Sequence, residues 1–184
     1  MTTTKHGLAE VNGAQIYYEI RGSGPPLLLI MGLTGDAGWF EPLAELLAKQ
    51  FTVVTYDRRA NSRSPRPEGW TSTSIAEQAD DAAGLLSALR LSPAIVFGNS
   101  FGAMILLELI IRHPRSVRGA VAHEPPHSPT RHSTPVSHIR PHSPQPSHRD
   151  SSTSGTGIAT VSLPMDAPSK NNRAFGSSTS QSKS

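Results

Sequence analysis

The 184 residues suffice for one domain of ordinary size, but charge is unevenly spread: Met1 to Pro126 carry 11 Lys+Arg against 12 Asp+Glu, and the other 58 residues carry 6 against 2. The net charge of +3 therefore belongs to the C-terminal segment, and no basic stripe on the foldable part argues for a nucleic-acid partner. The absence of cysteine excludes disulfides, thiolate catalysis and cysteine-based zinc sites.

From the N-terminus, MTTTKHGLAE lacks the apolar core of a secretory signal. The stretch GLAEVNGAQIYYEIRG predicts a β-hairpin, with Asn12-Gly13 as its two-residue turn and Ile16, Tyr18 and Ile20 alternating on one face. PPLLLIMG is a continuous apolar run, as expected of a strand buried on both faces of a parallel sheet. Trp39, Phe40, Leu43, Leu46 and Leu47 recur at helical spacing, and FTVVTYD is the next strand. After the loop NSRSPRPEG, a capping box of Ser74 with Glu77 opens a helix striped by Ile75, Ala79, Ala82, Leu86 and Leu89. PAIVFG predicts a strand, Phe101 to His113 a helix stopped before Pro114, and VRGAVAH a sixth strand. Alternating strands and helices with short connections mean an α/β fold with a mostly parallel sheet. The longest apolar runs, PPLLLIMGL and AMILLELII, are too short to span a bilayer, so a cytoplasmic chain with no membrane partner is expected.

Beyond Pro126 the text changes: the 58 residues hold 15 Ser, 7 Pro and 5 His, with no alternation or helical stripe. Such a segment buries too little to offset its ordering entropy. Residues 127–184 are expected to form a disordered tail, residues 1–126 an incomplete core ending at its sixth strand with one sheet edge open.

Gly98-Asn99-Ser100-Phe101-Gly102 fits G-x-S-x-G directly between a strand and a helix, the context a nucleophile elbow needs. Glycines on either side let neighbouring backbone approach where a Cβ would clash, and the helix N-terminus favours a developing oxyanion. A merely structural turn is the alternative. The chain from about Lys5 to Pro126 resembles the first two-thirds of a small bacterial α/β-hydrolase on four stretches in order. LLLIMGLTGDAGWF resembles its strand and oxyanion loop, with Met31-Gly32 at the usual His-Gly pair. VVTYDRRANSRSP resembles its D-x-R-G-x-G-x-S loop, with Ala60 and Ser62 where glycines are usual. GNSFGA resembles its elbow, and HPRSVRGAVAHEPP the run into its sixth strand. The resemblance implies Ser100 as nucleophile, an oxyanion hole from the Phe101 amide and that of Leu33, Asp57 and Arg58 as structural ties, and neither metal nor cofactor. A serine there implies acyl transfer through an acyl-enzyme on a small-molecule acyl substrate: an ester, thioester, lactone or peptide bond, or cofactor-free peroxidase chemistry.

The general base is not identifiable. In the family the order is Ser, then Asp or Glu, then His, and the resemblance stops at Pro126. His6 and His113 are expected on the surface, and His123 in the core or at the crevice. Glu124, at the end of the sixth strand, is a candidate acid or an ordinary loop residue. Among His127, His132, His138, His142 and His148, only His138 and His142 have i,i+4 ligand spacing, and Pro141 opposes the helix that spacing needs. The abrupt stop inside HEPPHSP suits an out-of-frame reading of a hydrolase gene, with a selected disordered tail as the alternative. A serine hydrolase of low competence is the expectation, against a non-catalytic fragment or binding protein that keeps the fold.

Overall fold

The computed structural model describes residues 3–126 and 158–162. Strands β1 (Thr4–Val11) and β2 (Ala14–Arg21) form the expected hairpin, with Asn12 and Gly13 at φ +47° and +74°, the geometry of a two-residue primed turn. Strands β3 (Pro26–Ile30), β4 (Thr52–Tyr56), β5 (Ala94–Asn99) and β6 (Val117–His123) run parallel, and β2 joins β4 antiparallel. In both β3 and β4 the last four residues are buried in succession, because helices cover both faces of the sheet.

One face carries helix α1 (Glu41–Leu47), over Leu27, Leu29 and Val53. The other carries α2 (Ile75–Ala88) and α3 (Phe101–Arg112), over Leu28, Ile30, Val54 and Val96. Ser74 Oγ accepts the Glu77 amide at 3.0 Å, half of the expected capping box, and Ala79, Ala82 and Leu86 of the predicted stripe are fully buried.

The first helix departs from expectation. Ala37–Phe40 form a 3-10 turn capped by Asp36, and α1 begins anew with Pro42 in its first turn. Three residues per turn followed by 3.6 shift the helical phase at the join. Small residues Ala44 and Ala48 therefore meet the sheet, with Phe40, whereas Trp39 is 71% and Leu46 61% exposed.

The sheet has seven strands in the order β1-β2-β4-β3-β5-β6-β7. The seventh, β7 (Ile158–Ser162), lies in the segment where no strand was expected and pairs antiparallel with β6, so the edge expected to be open is covered. The physical reason is the row of free N–H and C=O groups along β6, which accepts a short stretch rich in β-branched residues such as Ile158, Thr160 and Val161. The expected disorder of the remainder, 127–157 and 163–184, lies outside the described residues.

In the loop directly after β4, two non-glycine residues keep left-handed backbone: Ala60 at φ +59° and Ser62 at φ +47°, the two positions where the family pattern has glycine. A left-handed L-residue costs about 1–2 kcal/mol, against about 0.5–1 kcal/mol of extra chain entropy for glycine. Ala60→Gly is therefore expected to raise the thermal midpoint by about 2–5 °C in a calorimetric scan. Ser62→Gly should gain less, because Ser62 Oγ donates to Asp36 Oδ2 at 2.9 Å and that bond would be lost. A lower midpoint for Ala60→Gly would show that the loop carries no such strain.

Candidate active site

From the central strand β3 the chain passes to β4 on one side and later to β5 on the other, so β3 and β5 flank the point where strand order reverses. In open α/β sheets that point, at the carboxyl ends of the strands, is where ligands bind. Ile30 pairs with Gly98, so Met31-Gly32-Leu33 leaves β3 beside the turn that leaves β5. A Cβ built on Gly32 would lie 3.3 Å from Ser100 Cβ and 3.3 Å from the Asn99 carbonyl oxygen. The loop expected to hold an oxyanion donor thus runs against Ser100.

Ser100 has φ +51° and ψ −120°, a conformation that costs on the order of 1–3 kcal/mol and persists only where its surroundings impose it. Those surroundings are visible. A Cβ on Gly98 would stand 2.4 Å from the Gly102 carbonyl oxygen, and one on Gly102 2.2 Å from that of Ile30. Strand, turn and helix are packed backbone to backbone, as the glycine spacing predicts. Ser100 opens α3 without bonding its side chain to the helix, and its own N–H donates to the His123 carbonyl at 2.9 Å. Ser100 is half-buried and directly precedes the first amides of α3, those of Phe101 and Gly102.

Beneath the loop lies a polar platform. Asp57 is fully buried; its Oδ1 accepts the Ala37 amide at 2.8 Å, and its Oδ2 accepts the amide and Nε of Arg63 at 2.9 and 2.7 Å. Burial pushes its carboxyl up, but the Arg63 guanidinium and the two amides outweigh that and hold it below the usual carboxylate range. Arg58 donates through Nη2 to the carbonyls of Gly32 at 3.0 Å and Leu33 at 2.6 Å, and through Nη1 to Gln78 Oε1 at 3.1 Å. Its guanidinium carbon stands 5.5 Å from the centre of the Phe101 ring. Both residues are ties, as expected. What sequence reading missed is what Arg58 ties: the expected oxyanion loop, 25 residues away along the chain. No local signal marks that contact.

The other expected residues fall out differently. Leu33 is 65% exposed, so only its backbone is positioned for the site. Glu124 is exposed with φ +47°, just past β6. Of the two places expected for His123, the core and the crevice, the structure shows the rim of the sheet. His123 is partly exposed at the strand end, stacked on Phe97 at 6.2 Å between centroids, with Nδ1 3.0 Å from Asn99 Nδ2. The cause is register: Asn99 pairs with His123, so both side chains leave the same face at the rim of the sheet. His6 is exposed, and His113 is half-buried with Nε2 2.6 Å from Asp80 Oδ1. His127, His132, His138, His142 and His148 lie outside the described residues. Two hollows of about 730 and 390 Å³ lie elsewhere, the larger lined by residues such as Asn12, Arg59, Asp80 and Arg112, the smaller by Met104, Leu107, Ile111 and Pro125. In the larger one the arginines are already engaged by carboxylates, so it offers no free charge for chemistry. Among the described residues no helix is long and apolar enough to cross a membrane.

Comparison with known proteins agrees with this geometry. The family model of the alpha/beta hydrolase fold matches residues 25–145, running past the boundary expected at Pro126. The chain is 46% identical over 123 residues to the uncharacterized hydrolase YraK of Bacillus subtilis strain 168, covering 67% of this chain and 45% of the relative. It is 37% identical over 102 residues to the 2-(acetamidomethylene)succinate hydrolase of Mesorhizobium japonicum, covering 55% of this chain and 36% of that protein. Among solved structures, Est816, an N-acyl homoserine lactone degrading enzyme, superposes with a TM-score of 0.60 at 32% identity, over 64% of this chain and 44% of its own. The chain thus spans less than half the length of these relatives. Fold, strand-end geometry and sequence similarity converge, and the chain belongs to the alpha/beta hydrolase fold family.

Proposed function

We propose that this chain is a serine hydrolase of the family by descent, and that Ser100 is the nucleophile of an acyl transfer to water. The observation that carries the reading is the left-handed Ser100, held between two glycines with no room for a Cβ and facing the Gly32 loop at van der Waals distance. Ser100 Oγ would attack an acyl carbonyl, its proton passing to a base. The carbonyl oxygen would gather charge between the amides of Leu33 and Phe101, and water would release the acid in a second step. The substrate class is a small carboxylic ester, thioester or lactone, and one structural relative, Est816, is named for degrading an N-acyl homoserine lactone.

Turnover should be low, because no side chain among the described residues is hydrogen-bonded to Ser100 Oγ as a base. A serine at its free pKa is a poor nucleophile, so acylation without a positioned base is slow. Hydrolysis of a short-chain aryl ester, compared between the wild type and Ser100→Ala, is the test. A weak activity abolished by the substitution is expected. Equal rates in the two proteins would leave a folded but non-catalytic chain as the better account. Activity at ordinary enzyme rates, lost in Ser100→Ala, would mean that a histidine serves, with His123 the first to replace.

A further inference from the structure

Three arginines are buried among the described residues, and two of them meet carboxylates: Arg21 meets Glu19 at 2.7 Å and Arg59 meets Asp81 at 2.6 Å. Arg58, 6% exposed, has no carboxylate partner among the described residues. Its positive charge is met by the neutral oxygens of Gln78, Gly32 and Leu33, and its Nε has no partner among the described residues. Burial lowers its basicity, but a guanidinium keeps its proton in a protein. A desolvated cation without an anion is costly to a fold, on the order of several kcal/mol. In the D-x-R-G-x-G-x-S pattern Arg58 stands at x, the position the pattern leaves open.

The geometry of the peptide unit says what the grip does. A trans peptide is planar, with its carbonyl and the following N–H pointing to opposite sides. Because Arg58 Nη2 holds the carbonyls of Gly32 and Leu33 from one side, the N–H groups of Leu33 and Thr34 are turned to the other. The same guanidinium lies against the ring of Phe101, whose amide opens α3 next to Ser100. One buried cation therefore touches both walls of the expected oxyanion hole.

We propose that Arg58 is the positioning residue of the oxyanion hole, aiming the Leu33 amide and buttressing Phe101 while holding a positive charge that is balanced only when an oxyanion forms. This deepens the Ser100 reading and rests on it. A fluorophosphonate tests it, because its reaction needs the same hole: Ser100 Oγ displaces fluoride at phosphorus, the Oγ proton leaves to solvent, and the phosphoryl oxygen occupies the oxyanion position. Arg58→Met is expected to slow the second-order labelling rate about 10-fold or more, and Arg58→Lys, which keeps the cation and one carbonyl bond, to recover most of that loss. If Arg58→Met does not fold, Arg58→Gln takes its place with the same expectation. Labelling of the uncharged variant at the wild-type rate, or a lysine variant as slow as it with both folded, overturns the inference alone. A wild type unlabelled at Ser100 overturns the nucleophile reading, and this inference with it.

Discussion

Gly102→Ala is expected to lower the thermal midpoint by about 10 °C or more. The added Cβ would stand 2.2 Å from the Ile30 carbonyl oxygen and 2.9 Å from that of Met31. Both are backbone atoms, in and just after the central strand, and cannot step aside as a side chain would. Overpacking a core costs typically 1–3 kcal/mol when side chains adjust, and more when backbone must shift. At about 2–4 °C per kcal/mol for a chain of this size, a backbone shift costing more than about 3 kcal/mol gives a change of that order. Gly13→Ala is the control: unlike Gly102 it has φ +74°, but no atom lies within 4 Å of the new Cβ, so only backbone strain of about 1–2 kcal/mol is added. Calorimetry on the two variants should separate them clearly. Equal losses would mean that strand β3 and helix α3 are not packed backbone to backbone, and the strained Ser100 would lose its support.

Asp81→Ala should cost about 3–5 kcal/mol in urea unfolding. Asp81 is 2% exposed and takes both arms of Arg59, Nε at 2.8 Å and Nη2 at 2.6 Å, together with Asn12 Nδ2 at 3.1 Å. Arg59 Nη2 also donates to the Asn12 carbonyl at 3.1 Å. The pair therefore locks the turn of the hairpin to α2 and to the loop after β4. Removing the carboxylate leaves a buried guanidinium with only the part-exposed Glu77, 3.6 Å from Arg59 Nε, as its anion, the expensive way to break a buried pair; removing both charges is far cheaper. The double replacement of Arg59 by Met and Asp81 by Leu should recover more than half of the loss. A single variant within about 1 kcal/mol of the wild type would show that water reaches the pair and screens it.

The parts of the fold legible in the sequence are those encoded by neighbours. Asn12-Gly13 has backbone that only a primed turn uses, and PLLLI and TVVTY are apolar without interruption because the sheet is covered on both faces. The glycines around Ser100 were legible because the lack of a Cβ has a direct steric meaning. Where two local patterns join, legibility fails. The 3-10 turn at Ala37–Phe40 rotates α1, so Trp39 and Leu46 face solvent although their spacing is helical. Strand β7 escaped because IATVS is too short to assert itself; it acquires structure from the free edge of β6, a partner about 40 residues distant. The grip of Arg58 on Leu33 and the place of His123 beside Asn99 are likewise tertiary facts, set by strand register.

The central claim is that Ser100 is the nucleophile, and the most direct measurement is covalent: incubation with a fluorophosphonate, digestion, and mass mapping of the modified peptide. The account predicts slow, stoichiometric modification confined to the peptide that contains GNSFG, with Ser100 as the modified residue and no label in Ser100→Ala. Modification of a different serine with Ser100 untouched, or equal labelling of the wild type and Ser100→Ala, would contradict it.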